Sequence, residues 1–476
     1  MTMRRTLLAI MIVLISVPVT GFAQGLEVPD YTPAGISAIP FNFGPPGARS
    51  LGMGGAFIGI ADDATASEAN PAGLTILTRP EISIHGRYSA YDLQTVDESA
   101  ALSLGILNNN RVSNGSAPLG INDSIGNAFT GNPFPTFDET TTDVSFASWV
   151  QPFSSWVLSL YYQQSTSFSG SSNFQAYDDL FVDVFNSSRY LDTNLESLGV
   201  SAGFQLTENV SFGVSVRQSR LKVKATEVWQ VKFFNDLEFA PDYGLISGTS
   251  IGDLENFANA APLSDVYEST TSFDDDDSDV TFNAGLLFNP NGKLSFGLVY
   301  KTGGTYSLSG TEVNSLRVNA PILGFNNYED ITSRVVTSEL NIPDFAGAGF
   351  AWRPTDQLMV SLDADFVSYS DLDSGQLDNP NLPDTLRAQL EPVDDQWEYH
   401  VGIEYTFFPG QRNLPFSIRA GAWSDPDHDG VRAVDSDQIH ATVGFGAVLT
   451  EGFQLDVAAH FADTVNEGLL SLVYRF

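Results

Sequence analysis

The sequence predicts an all-β fold, a 14-stranded antiparallel transmembrane β-barrel with an N-terminal plug, or hatch, inside its lumen. Three observations predict it. The chain opens with an export leader and has no later stretch approaching the ~20 apolar residues of a membrane helix. From residue 80 onward, apolar and polar residues alternate up to the last position. The connections between the alternating runs are short and long by turns. The expected organisation is a signal peptide over 1–23, a hatch over 24–79 and a barrel with long outer loops over 80–476.

The leader, MTMRRTLLAIMIVLISVPVTGFAQ, has a basic start (Arg4, Arg5), an apolar run from Leu7 to Val19, and small residues Gly21 and Ala23 ahead of a cut before Gln24. Its removal takes the formal charge from −36 to −38, because it carries two arginines and no acid. Such acidity argues against nucleic-acid partners, since anionic loops repel phosphate. No cysteine is present, so an exported chain must be held by packing or by a closed hydrogen-bonded lattice. The last nine residues, GLLSLVYRF, put Leu470, Leu472, Tyr474 and Phe476 on one face of a strand. In a closed barrel that strand pairs with the first, which removes an aggregation-prone edge and points to a bacterial outer-membrane location.

Reading back from Phe476, the alternating runs are 468–476, 452–462, 438–449, 415–424, 395–408, 356–369 and 338–353. They continue as 293–309, 278–289, 208–224, 194–206, 155–168, 141–152 and 80–91. Short turns fall at 153–154, Thr207, Asn289 to Gly292, Arg353 to Gln357, PGQRNLP and TEG. Long connections fall at 92–140, 169–193, 225–277, 310–337, 370–394 and 425–437, while 463–467 is brief. A water-soluble β-sandwich also alternates, but it gives no reason for this rhythm of loop lengths.

The hairpin VTFNAGLLFNPNGKLSFGLVY shows the pattern best. Val280, Phe282, Ala284, Leu286 and Phe288, then Leu294, Phe296, Leu298 and Tyr300, form the lipid face, and Thr281, Asn283, Gly285, Ser295 and Gly297 face inward. The same parity turns inward Glu81, His85, Arg87, Arg217, Lys301, Asp363, Asp365, His400, Glu404, Arg419, His440, Asp456, His460 and Arg475. Mutual hydrogen bonding inside a lumen accounts for such groups, so no catalytic residue, metal ligand or cofactor is assigned and the protein is read as a non-enzyme.

GARSLGMGGAFIGIADDATASEANPAGL, Gly47 to Leu74, precedes the first strand and is too apolar to hang in water. A segment packed inside a barrel must bend often and approach the wall closely, which Gly52, Gly54 and Gly55 allow, and Asn70-Pro71 before Ala72 suits a turn ahead of the first strand. It is not a dinucleotide loop: Phe57 occupies the place of the third glycine in GxGxxG, and no strand precedes it.

That segment, together with LSFGLVYKTGGTYSLSG, IPDFAGAGFAWRPTDQLMVSLDADFVSYS and the terminal YRF, resembles the FadL/TodX-type outer-membrane transporters of long-chain fatty acids and other hydrophobic compounds. The resemblance spans the mature chain. It implies a fourteen-stranded barrel, capture of substrate at an apolar groove among the outer loops, hatch movement, with Asn70, Pro71 and Ala72 in the hatch, and a lateral exit beside a kinked third strand. Here that strand, Trp156 to Phe168, has no internal glycine; the nearest is Gly170.

By parity, Arg217 and Lys301 face the lumen near the outer ends of adjacent strands. They are the candidates for a substrate head group, unless they pair with lumen acids such as Asp279. Met53, Phe57 and Ile58 in the hatch, and Phe233, Phe234, Phe239 and Phe257 in outer loops, are candidates for the tail. FDDDDSD, from Phe273 to Asp279, reads as a solvated outer loop that divalent cations could bridge to lipopolysaccharide. DPDHDG, from Asp425, starts like a calcium loop, but Ser436 stands where the bidentate Glu belongs, so it reads as an exposed acidic loop. The expected function is a monomeric channel for passive uptake of hydrophobic molecules, long-chain fatty acids first and aromatic hydrocarbons next. The alternative is an outer-membrane interaction or shuttle protein associated with protein secretion.

Overall fold

The computed structural model describes residues 44–94, 136–177, 183–233, 265–320, 325–372, 394–409, 414–426 and 438–476. The strands are β1 Glu81–Gln94, β2 Thr136–Pro152, β3 Trp156–Tyr177, β4 Asp183–Gln205, β5 Val210–Phe233 and β6 Asp265–Phe288. They continue as β7 Leu294–Lys301, β8 Thr305–Ala320, β9 Phe325–Asn341, β10 Phe345–Trp352 and β11 Leu358–Val367. The last are β12 Gln396–Phe407, β13 Phe416–Asp425, β14 Gln438–Thr450, β15 Phe453–Phe461 and β16 Val465–Arg475. All belong to one antiparallel sheet in which β1 pairs with β16 and β5 with β6, so the sheet has no open end at the level of the turns.

Fourteen staves result, because β7 with β8 and β9 with β10 are two staves, each broken once at the same level. The breaks are local chemistry. Thr302-Gly303-Gly304 and Ile342-Pro343-Asp344 interrupt the ladder, Gly303 N donates to Asp344 Oδ1 (2.7 Å), and Ile342 N donates to Gly304 O (2.8 Å).

The alternation sorts as expected. Phe282, Leu286, Phe296 and Leu298 face outward, while Thr281, Asn283 and Ser295 are buried inside. Outward aromatic residues gather at two levels: Phe153 stacked on Trp156 and Phe407 on Phe416 at the turn end, and Tyr88, Tyr300, Trp397 and Tyr399 nearer the loop end. Strand ends on the turn side lie within two residues of expectation. On the loop side, β3 to β6 run on well past it, to residues 177, 183, 233 and 265. Residues 273–279 accordingly belong to strand β6 and not to a loop.

The reason is a change of phase. In β5, Val214 and Val216 face out and Ser211, Ser215 and Ser219 face in, but from Arg220 onward the charged residues Arg220, Lys222 and Lys224 face out and Leu221, Val223 and Ala225 are buried inside. Strands β4 and β6 invert at the same level, with Leu191, Leu195 and Phe273 inside. The stretch 210–219 rises ~25 Å at ~3.4 Å per residue and the usual barrel tilt, which matches the apolar band of an outer membrane. Above it, water replaces lipid outside.

Candidate functional site

Residues 44–79 run against inward-facing residues of several strands. Helix α1, Ala48–Gly52, touches β13 to β16, whereas the 3-10 turn Pro71–Ile76 touches β3 to β6. Between them is α2, Ala66–Ala69. Polar ties fix the segment: Ala48 N donates to Ser471 Oγ (2.9 Å), Ala64 N to Glu81 Oε1 (3.1 Å) and Ile58 N to Asp363 Oδ2 (2.8 Å), while His400 Nδ1 meets Gly54 O (2.8 Å). Arg49 pairs with Asp62 and with Glu404, which Arg419 also holds at 2.6 Å. Charges buried this deeply persist only when paired.

The sequence candidates Gly52, Gly54, Gly55, Asn70, Pro71 and Ala72 all lie in this segment. Gly54 and Gly55 hold positive φ (65° and 76°), where a side chain would be strained. Asn70 caps the turn that follows: its Oδ1 accepts from Ala72 N (3.2 Å), and its Nδ2 donates to Ile58 O (3.0 Å) and Leu286 O (3.2 Å).

Glycines of the wall matter as much as those of the segment. Gly203, Gly213 and Gly285 are direct cross-strand neighbours on β4, β5 and β6, as are Gly297 with Gly349 and Gly402 with Gly421. The segment's backbone rests on these rows. A Cβ on Gly213 would stand 2.1 Å from Pro71 C, and one on Gly421 2.2 Å from Gly54 N. Sequence reading marked Gly285 and Gly297 as small inward positions but could not see the rows, because cross-strand register is not written along the chain.

The expected tail contacts Met53, Phe57 and Ile58 are buried against the wall. Met53 and Phe57 pack with Ile60, Ala351 and Met359, and Ile58 packs with Val299, Phe345 and Tyr369. Phe234, Phe239 and Phe257 lie outside the described residues, as does most of the acidic loop after Asp425, and of Phe233 only the strand position is described.

Arg217 and Lys301 do face inward, with two differences from expectation. They stand about a third of the way along their staves from the turn end, with β6 between them, and their acid is Glu68 of α2 rather than Asp279. Glu68 Oε1 accepts from Lys301 Nζ at 2.9 Å and from Arg217 Nη1 at 3.1 Å, and Asn283 Nδ2 donates to the Glu68 carbonyl (3.0 Å). Lys301 Nζ also lies 4.9 Å from the centre of the Phe345 ring. Beside these groups is a cavity of about 50 Å³, lined also by Leu195, Tyr306 and Phe345. Glu68 was not among the sequence candidates, although it sits two residues before Asn70.

On the loop side of this cluster the bore is apolar. Tyr91, Phe168, Leu191, Leu195, Leu221, Val223, Phe273, Tyr306 and Leu308 pack into one buried group. Two seams in the wall flank it. The β2–β3 ladder ends at Phe146/Gln163; beyond that, Arg87 donates to Gln164 O (3.2 Å) and Ser165 O (3.3 Å), and Tyr91 Oη donates to Ser167 O (3.1 Å). Register slips between Gln164 and Thr166, so the irregularity of β3 is a bulge and needs no glycine.

Between β6 and β8 the ladder is absent from Asp274 to Phe282. Carboxylates stitch the gap: Asp275, Asp277 and Asp279 each accept one N–H from their own strand and one from Ser309, Ser307 and Thr305 of β8, at 2.7 to 3.1 Å.

A closed fourteen-stave barrel with apolar outer walls and aromatic belts defines a transmembrane channel of the outer-membrane type. The family model described as "Outer membrane protein transport protein (OMPP1/FadL/TodX)" matches residues 47–467, and the chain belongs to that family. Its members are channels rather than enzymes. Sequence comparison with curated proteins finds no match. Among solved structures, the Pseudomonas putida toluene transporter TodX is similar with a TM-score of 0.57 and 13% identity over 91% of this chain and 99% of that one. A Pseudomonas aeruginosa FadL homologue is similar with a TM-score of 0.54 and 15% identity over 94% and 98%. The Ralstonia pickettii toluene transporter TbuX gives 0.55 and 15% over 92% and 100%. At such identities these likenesses concern the fold.

Proposed function

We propose that the channel takes up long-chain fatty acids by passive diffusion, from the apolar outer bore past Arg217 and Lys301, with residues 44–79 acting as a hatch that must move. One observation carries this reading: a buried apolar layer stands directly over two cations. An amphiphile descending tail-first or head-first finds ~0.8 kcal/mol for each methylene buried in that layer, and its carboxylate finds charge-assisted hydrogen bonds at the floor. A water-filled pore offers the tail nothing comparable.

The β2–β3 seam supports a sideways exit into the bilayer. Its inner edge carries buried polar atoms without hydrogen-bond partners among the described residues, among them Asp143 Oδ2, Gln163 Oε1 and Thr166 Oγ1, and on the turn side of it the outer wall carries an apolar groove lined by Ile82, Ile84, Leu160 and Leu198. The test is uptake of labelled oleate and of toluene by a deletion strain complemented with wild type or with the R217A/K301A double variant. Oleate uptake is expected to fall at least about tenfold while toluene uptake holds, the least that loss of two charge-assisted contacts should cost. Unchanged oleate uptake would reject the carboxylate contact, and equal loss of both would show that the variant damaged the channel itself.

A further inference from the structure

Resting on that reading, we infer that Glu68 is a resident stand-in for the substrate carboxylate, and that an incoming carboxylate releases the hatch by taking its place on Arg217 and Lys301. Four observations lead there. Glu68 is a side chain of the hatch, on α2, yet its bonds reach the wall on β5 and β7. Only its Oε1 is used; Oε2 is buried and has no hydrogen-bond partner among the described residues, so the carboxylate is held from one side. Both cations share that one Oε1, while the nearby acid Asp279 accepts main-chain N–H groups of Val280 and Thr305 instead. Finally, the cavity beside it holds about 50 Å³, room for a few waters against the ~300 Å³ or more of an ordinary ligand pocket.

With Glu68 in place both cations share its single Oε1, and Lys301 also interacts electrostatically with Asp365, so an incoming carboxylate must compete with Glu68 for them. An incoming carboxylate that takes over Arg217 and Lys301 as Glu68 leaves keeps both cations paired, so the exchange needs no stage with a bare buried cation. Departure of Glu68 frees α2, which leads directly into Asn70 and Pro71 on the glycine rows of β5 and β6. No covalent step is involved. The consequence is selectivity by charge: a fatty acid unlatches the hatch, whereas an alcohol of the same chain fills the apolar layer and leaves the latch closed.

The experiment compares oleate with oleyl alcohol on purified full-length protein in a non-ionic detergent. Wild-type, E68Q and R217A/K301A proteins are titrated, and hydrogen exchange is followed across residues 60–75 of wild type. Removing the competitor should tighten oleate binding to E68Q by about tenfold, with alcohol binding unchanged, because the binding-competent form no longer has to displace an internal anion. In wild type, oleate and not the alcohol should speed exchange in α2. If R217A/K301A loses oleate while E68Q binds it no tighter than wild type, the exchange mechanism falls and the head-group reading stands. If R217A/K301A binds oleate like wild type, both fall. Should E68Q fail to assemble, equal exchange in wild type with either ligand overturns the inference without it.

Discussion

The two halves of a single stave, β5, follow opposite rules. From Val210 to Ser219, apolar side chains look out and small polar ones look in; from Arg220 on, charged side chains look out and Leu221, Val223 and Ala225 look in. The backbone does not change. What changes is the solvent outside, lipid below and water above, and each half buries its apolar face away from water. The inner surface inverts with it. The lower inner wall is polar and meets a segment whose Arg49, Glu68 and Asp62 are paired to the wall or to each other, while the upper inner wall carries a contiguous buried apolar layer. On the proposed reading, capture and closure are separated along one strand.

Adding volume to the lower wall has the largest expected effect. Gly213→Val puts side-chain atoms where Pro71 C already stands 2.1 Å from a bare Cβ, in a backbone row with no flexible neighbour to yield. Overpacking of this kind costs ~1–3 kcal/mol or more, and here the segment must lift from its seat. Single-channel recordings should pass from closed to persistently conducting, and cells should become sensitive to large antibiotics. A quiet, wild-type trace would show that the glycine rows do not seat the hatch.

That row also marks the limit of what could be read from the chain alone. Turn-side strand ends and the inward or outward sense of residues such as Phe282 and Asn283 were legible because a lipid face imposes strict period 2. Phe273 to Asp279 read as a loop because above the membrane the outward face is charged and the stitching is done by aspartates, residues otherwise rare in strands. The pairing of Glu68 with Arg217 and Lys301 was illegible for a different reason: it joins residues 149 and 233 positions apart, and parity says only that a side chain faces inward.

A smaller effect is expected at the boundary between the halves. Replacing Asp275, Asp277 and Asp279 together by Asn leaves one oxygen where two N–H groups now share a carboxylate, and sets an amide donor against the other. Since hydrogen bonds to charged groups are worth ~1.5–3 kcal/mol, the β6–β8 seam should open on heating before the lower barrel does. Limited proteolysis at rising temperature would then cut near 302–310 in the variant while β10 to β16 stay intact. Simultaneous loss of both regions would show that the carboxylates support the whole barrel and not the seam.

The least effect is expected where charge is most conspicuous. Arg220 forms two 2.8 Å hydrogen bonds with Asp276 on the outer face just above the phase change, and those bonds hold the Asp276 carboxyl below the usual carboxylate range. Both side chains are nonetheless about half exposed, so water screens the pair and replaces it when it is cut. Arg220→Ala should leave heat unfolding, hatch closure and oleate uptake at wild-type values, whereas Leu221, the next residue, faces inward in the apolar layer. If removing Arg220 lowers the unfolding temperature measurably, the outer face of the upper half contributes to stability beyond its solvation, and the assignment of that stability to the inward apolar layer would have to be revised.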